Sequence, residues 1–306
     1  MKSSAPALLA LCLANSFASA ATDLLKVDPW SARRHDVALT IPGENSELAA
    51  PTRTLGEPSE VSPLTAPVED LFQRNYWYLV LLDVKEVFTA PAHWDNRDWL
   101  MLGGVVAGIG TVAVFDEDIN RAIQRNKNGT VNDVLHAVEP FGNEYAIGVV
   151  GSFYIFGEIF KDPRAKTTAL DAISASAIAS GIITNVSKYA IGRSRPLDHE
   201  GAYKFQPFSG RDSFSSGHTA EAFALASVIS EHYPTPWVQV TSYGIAGLVG
   251  YARISEGRHW TSDVLAGAAI GTFVGKTVVY FNQHHRRVAV QPLIGTINGA
   301  EFSYSW

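Results

Sequence analysis

Sulfur is nearly absent: the 306-residue chain has one cysteine, Cys12, and two methionines. Cys12 falls in an N-terminal leader, so the mature chain is expected to have no disulfide, no thiol nucleophile and no thiolate metal ligand. Positive charge is also in short supply. The formal net charge is −6 and the pI is near 5.8, whereas nucleic-acid binders are more often basic, so no nucleic-acid partner is expected. Long apolar runs are lacking too. The uncharged run 99–115 has 17 residues, short of the about 20 that a helical span needs. Other apolar segments carry Glu158, Asp171, Glu221 or Lys276 or are shorter, and the loop charges fix no topology. These features favour a periplasmic, membrane-associated helical domain, with an integral membrane protein left open.

The leader has one charge, Lys2, then the apolar stretch Ala5 to Leu13 and the small-residue site Ala18-Ser19-Ala20. It reads as a secretory signal peptide over residues 1–20, so the chain is expected to be exported to the periplasm or cell envelope. Residues 21–68, rich in Pro, Glu, Ser, Thr and Ala, read as an extended arm. An aromatic segment over 69–98, with "LFQRNYWYLVLLDVKEVF", reads as a helix suited to dock on an apolar surface.

Helical patterns then recur at 99–115, 145–160, 167–189, 219–232, 237–252 and 263–281, within a domain placed at 99–283. Asn96 or Asp98 is expected to cap the first. In the last, Gly267, Gly271 and Gly275 bare one face for close approach of another backbone. The tail, 284–306, alternates in pattern and contains Asn298-Gly299, which predicts a type I′ turn and a terminal β-hairpin.

Three stretches concentrate chemistry. In "KYAIGRSRP", Lys188 and Arg195 are seven apart, two helical turns, so both are expected on one face, with Arg193 a third cation. In "SFSSGHTAEAFALAS", Ser215 or Ser216 can cap a helix starting near Gly217, whose free N–H groups suit a phosphate, with His218 in its first turn. In "ARISEGRHWTSD", His259 and Asp263 are four apart and would share a helix face. Asp263 can hold one imidazole nitrogen and leave the other free as a nucleophile, while Arg253 clamps an oxyanion. Each stretch alone also reads as an ordinary helix end. Together they supply cations, backbone donors, a nucleophile and an acid, which is the set that phosphoester chemistry needs.

These stretches resemble the motifs of the type 2 phosphatidic acid phosphatase family, which shares its fold with the vanadium haloperoxidases. Lys188, Arg195 and Pro196 match the first motif; Ser216-Gly217-His218 match the second, with Ser215 where proline is usual; Arg253, His259 and Asp263 match the third, with Ala252 in place of serine. The resemblance covers roughly 99–283 and implies an all-α bundle with a phosphate site at one end. It further implies that Lys188, Arg195, Arg253, the Ser216 hydroxyl and the Gly217 N–H hold phosphoryl oxygens. His259 would form a phosphohistidine, oriented by Asp263, and His218 would protonate the leaving alkoxide. No metal or other cofactor is expected, and the expected substrate is a phosphomonoester or pyrophosphate, with apolar helices favouring a lipid phosphate. Two other functions stay open: a vanadate-dependent haloperoxidase, and a non-enzymatic envelope binding protein on the same fold. His35, His93, His136, His199, His232, His284 and His285 receive no role.

Overall fold

A computed structural model describes residues 70–293 and 299–304, with side chains over 70–286. The expected signal peptide and the whole of the expected arm, 21–68, lie outside the described residues. The described chain is mainly helical. Its helices are α1 (Arg74–Thr89), α2 (Asn96–Val114), α3 (Asp116–Arg125), α4 (Gly129–Val138) and α5 (Glu144–Phe160). They continue with α6 (Pro163–Ser176), α7 (Asn185–Ile191), α8 (Gly217–His232), α9 (Pro236–Ser255) and α10 (Thr261–Arg287). A π-helical turn, Ala177–Thr184, joins α6 to α7. The six expected segments all recur, 167–189 being divided between α6 and α7, and the aromatic segment forms α1. Helices α3 and α4 were not expected: both have only ten residues, too short to supply a long apolar face, and α3 is strongly polar.

The cap of α2 is Asp95 rather than Asn96 or Asp98. Its Oδ1 accepts from the Arg97 and Asp98 amides at 2.8 and 2.9 Å, and Asp98 Oδ2 accepts from the Asp95 amide at 3.2 Å. This is a reciprocal capping box.

Helices α8 and α10 form the centre. A Cβ on Gly267, Gly271 or Gly275 would lie 2.5, 2.3 or 2.7 Å from the carbonyl oxygens of Ser216, Ala220 and Ala224. The bared face of α10 therefore seats the backbone of α8, one turn after another, and fixes the spacing of the two helix starts. Val274, Val278 and Val279 of α10 pack with Val228 and Leu225 of α8, Ala172 and Ala175 of α6 and Val87 of α1.

The aromatic segment docks on this core. Tyr76, Leu79, Asp83 and Val87 bury one stripe of α1. The Tyr76 hydroxyl donates to the Leu170 carbonyl at 3.0 Å, and the Ser174 hydroxyl donates to Asp83. At this end Asp171 accepts from Asn282 Nδ2 at 2.9 Å and from Arg286 Nη2 at 2.8 Å, and lies 2.8 Å from His232 Nε2. His232 thus has a structural partner.

Three helical stretches are long and apolar enough to cross a membrane: Asn96–Val114, Pro163–Ile191 and Thr261–Arg286. Their charges explain why the sequence alone did not reveal this. Asp171 is buried among its partners, and Lys276 pairs with Glu231 at 2.9 Å, so polar groups turn into the bundle. The outside is apolar by contrast. Leu100 on α2 and Ile147 on α5 are each 76% exposed, and Val106, Val114, Ile155 and Ile159 are also exposed. Such a surface is suited to lipid contact and points to a membrane protein.

The tail departs from expectation. Strands Val288–Leu293 and Gly299–Tyr304 pair antiparallel, and Leu293 faces Gly299. A hairpin turning on Asn298-Gly299 is therefore not supported, because Gly299 already lies within the second strand. Asn298 itself is outside the described residues.

Candidate active site

Five chain segments meet at one end of the bundle: the end of α7, the extended strand after it, the start of α8, the end of α9 and the approach to α10. Lys188 is in the last turn of the α7 helix, which stops at Ile191 because Gly192 adopts a left-handed cap with φ 58°. Arg195 is therefore not two turns along the same helix. It lies on extended backbone beyond it, with φ −78° and ψ 157°. The long loop returning to α8 nevertheless brings Lys188 to the helix start. Lys188 Nζ is 3.5 Å from where a Cβ on Gly217 would stand.

Ser216 occupies the N-cap position of α8, but its side chain makes no capping bond. Its hydroxyl instead accepts from Thr219 Oγ1 at 2.9 Å, which leaves its own proton to donate. The first amides of the helix, from Gly217 on, have no intrahelical acceptor. Ser215, where the family has proline, is buried and lies 3.1 Å, hydroxyl to hydroxyl, from Ser187. That contact ties the turn to the Lys188 helix.

Arg195 and Arg253 complete the cationic set. Arg195 Nη2 pairs with Asp212, and Arg253 Nη1 pairs with Glu139 and with Glu256. The Nε atoms of both arginines are buried with no hydrogen-bond partner among the described residues. Two buried guanidinium donors without acceptors, together with helix amides that have no intrahelical acceptor, fit the oxygens of a phosphoryl group.

The histidines sit in the field of these cations. Burial first, then the charges of Arg253 and Lys188, push the His218 imidazole down to about 4. Burial holds His259 well below its ordinary range, and Arg253, Arg195 and Lys188 act in the same direction. That the same three cations act on both rings places all five groups in one neighbourhood.

The expected His259–Asp263 bond is not present. His259 precedes α10 and does not share its face with Asp263. Its Nδ1 instead lies 2.7 Å from the Ser213 carbonyl oxygen, which requires Nδ1 to donate and leaves Nε2 with its lone pair. Asp263 accepts from the Ser213 hydroxyl at 2.6 Å and from the Trp260 amide at 2.9 Å. Ser213 thus bridges the two, with its carbonyl on the histidine and its hydroxyl on the carboxylate. Nothing in the local spacing singles out Ser213, because the bridge closes across about fifty residues of chain.

Arg193 is also not part of the cationic cradle. It is buried, with Nη1 on Ser262 Oγ at 2.8 Å and on Asp263, and Nη2 on Asp116 Oδ2 at 2.8 Å. Asp116 in turn accepts from the Ser262 amide at 2.9 Å. This buried network locks the start of α3 and the start of α10 together. Asp116 gave no signal in sequence, since it reads as one of several carboxylates opening an acidic helix.

Comparison with known proteins agrees with the motifs. The profile of the PAP2 superfamily matches residues 170–287. The chain is 34% identical over 198 residues to the lipid A 1-phosphatase of Rhizobium etli, covering 59% of this chain and 82% of that protein. The chain belongs to the PAP2 superfamily. Within it, the chain is 41% identical over 113 residues to the lipid A 1-phosphatase of Porphyromonas gingivalis, but spans only 23% of that protein's length and 36% of its own. It is 26% identical over 202 residues to the undecaprenyl-diphosphatase of Sulfolobus acidocaldarius, covering 66% of this chain and 89% of that protein. The PAP2 match begins inside α6, so Glu139, Asp116 and the docked helix α1 all lie before it.

Proposed function

We propose that the chain is a membrane-bound phosphatase of the cell envelope that hydrolyses the phosphate or diphosphate of a lipid through a phosphohistidine. One observation carries this reading: His259 is held at Nδ1 by the Ser213 carbonyl while three cations and two unpartnered arginine donors surround the site. Relatives named as lipid A and undecaprenyl phosphatases favour a lipid substrate, as does the exposed apolar surface of α2 and α5.

In this reading the phosphoryl oxygens take the Arg195 and Arg253 donors, Lys188 Nζ, the Ser216 hydroxyl and the first amides of α8. His259 Nε2 attacks phosphorus, the ester or anhydride P–O bond breaks, and His218 delivers a proton to the departing oxygen. The ring of His218 is neutral in the empty site at neutral pH, so it must gain this proton with the substrate. The bound phosphate dianion offsets the cations that depress it and makes that gain favourable. Water then attacks the phosphohistidine, His218 takes its proton, the P–N bond breaks and orthophosphate leaves. The fixed cations and donors stabilise the charge on the equatorial oxygens throughout. Asp263, acting through Ser213, keeps the nucleophile in place.

The test is turnover of phosphatidic acid, isoprenyl diphosphate and p-nitrophenyl phosphate by detergent-purified protein, combined with acid quenching to trap labelled enzyme. His259→Ala is expected to abolish both turnover and labelling, and EDTA to leave the wild-type rate intact. Full activity of His259→Ala would sink the mechanism.

A further inference from the structure

Glu139 opens a short 3-10 turn, Glu139–Gly142, between α4 and α5, outside the three motifs and outside the matched region. The turn is packed against the start of α8: a Cβ on Gly142 would lie 2.8 Å from the His218 carbonyl oxygen and 2.9 Å from the His218 Cβ. From there one carboxylate oxygen, Oε1, reaches both Arg253 Nη1 and His218 Nε2, the latter at 3.2 Å. Glu139 also lines a cavity of about 450 Å³ with Lys127, His136, Leu197, Arg253, Glu256 and Arg258. It therefore stands between that cavity and the imidazole.

The two groups sharing this oxygen are those the proposed mechanism reserves for the substrate: a cation for a phosphoryl oxygen and the acid for the leaving oxygen. A carboxylate oxygen and a phosphoryl oxygen are acceptors of the same kind, and two anions in contact repel. We propose that Glu139 is a displaceable internal counter-anion, which the substrate's phosphate replaces when it binds, a phosphoryl oxygen on Arg253 and the leaving oxygen on His218. Glu139 then sets how strongly a ligand must bind before it enters the cradle. A phosphate dianion displaces the single carboxylate charge more readily than a monoanion does. Glu256 is not equivalent, because it meets Arg253 from one turn along the same helix end, at 2.8 Å, whereas Glu139 is the carboxylate that meets His218. This assignment rests on the phosphatase reading for its role, but its central feature is an affinity and can be measured without turnover.

Glu139→Gln keeps the shape of the side chain and removes the competing charge. The dissociation constant for orthophosphate, read from the rise of Tm with ligand, is expected to fall about tenfold, on the scale of one charge-assisted contact. The KM for p-nitrophenyl phosphate should fall in parallel, with kcat changing much less. Glu139→Asp, whose shorter side chain reaches the shared position less well, should move the same way and serves if the glutamine variant fails to fold. Orthophosphate affinity that is unchanged or weaker in the folded variant would overturn the proposal. So would a loss confined to kcat, which would make Glu139 a positioning residue for His218 instead. If no ester is hydrolysed by any form while orthophosphate still binds tighter to Glu139→Gln, the phosphatase reading fails and the counter-anion stands.

Discussion

Removing the Ser213 hydroxyl separates two ways of linking Asp263 to the nucleophile. Ser213→Ala deletes the donor at 2.6 Å from Asp263 Oδ2 but leaves the main-chain carbonyl that meets His259 Nδ1 at 2.7 Å. Asp263 keeps the Trp260 amide at 2.9 Å and the Arg193 guanidinium, so its charge is not left bare. Hydrogen bonds to charged groups are worth about 1.5–3 kcal/mol, and each 1.4 kcal/mol is a factor of ten. If the whole of that bond serves to hold the Ser213 backbone under the imidazole, kcat/KM should drop about ten- to a hundredfold. Since Ser213 is buried, thermal stability should fall as well, by about 1–2 kcal/mol. The assay is kcat/KM with p-nitrophenyl phosphate for Ser213→Ala, Asp263→Asn and the double variant, with melting curves for each. A carboxylate acting through the serine predicts strong coupling: the double variant is little worse than Asp263→Asn alone. Wild-type kcat/KM in Ser213→Ala, alongside a large loss in Asp263→Asn, would refute the relay and restore a direct bond between carboxylate and imidazole.

Two further outcomes follow from the geometry. Gly271→Ala places a methyl 2.3 Å from the Ala220 carbonyl and 2.8 Å from the Ala224 amide, both backbone, and is expected to cost about 1–3 kcal/mol of stability and to lower activity by displacing α8. Gly110→Ala, which meets nothing within 4 Å, is the control: it should be neutral or stabilising by up to about 1 kcal/mol, and equal melting of the two variants would contradict the packing. In the ligand-free protein, the His218 ring should titrate near 4 by NMR, below the ordinary 6.5. The unfolded chain then binds the extra proton between those two values, so stability falls as pH drops from 6.5 towards 4, and His218→Gln should flatten that part of the pH dependence. A midpoint near 6.5 would contradict the burial and the cationic surroundings.

Much of the protein was determined by its sequence alone. Lys188, Arg195, Ser216, Gly217, His218, Arg253, His259 and Asp263 are recognisable because the residue types have fixed local spacings, and helix starts and ends carry their own signals. The glycine stripe of α10 likewise announced a close backbone neighbour, since a missing Cβ at every fourth position has a direct steric consequence. Tertiary structure decided what those residues touch. It chose α8 as the stripe's partner and turned Lys276 and Asp171 inward, so that helices too charged to read as spans became apolar outside. It put Arg193, the third cation of its stretch, into a buried network with Asp116, and placed Ser213 between His259 and Asp263. It also brought Glu139 from an unmatched turn onto the site. The physical reason is the range of the interactions. Capping, periodicity and turn chemistry act within a few residues and leave a trace in local order, whereas a hydrogen bond closed across fifty or more residues depends on how the helices pack.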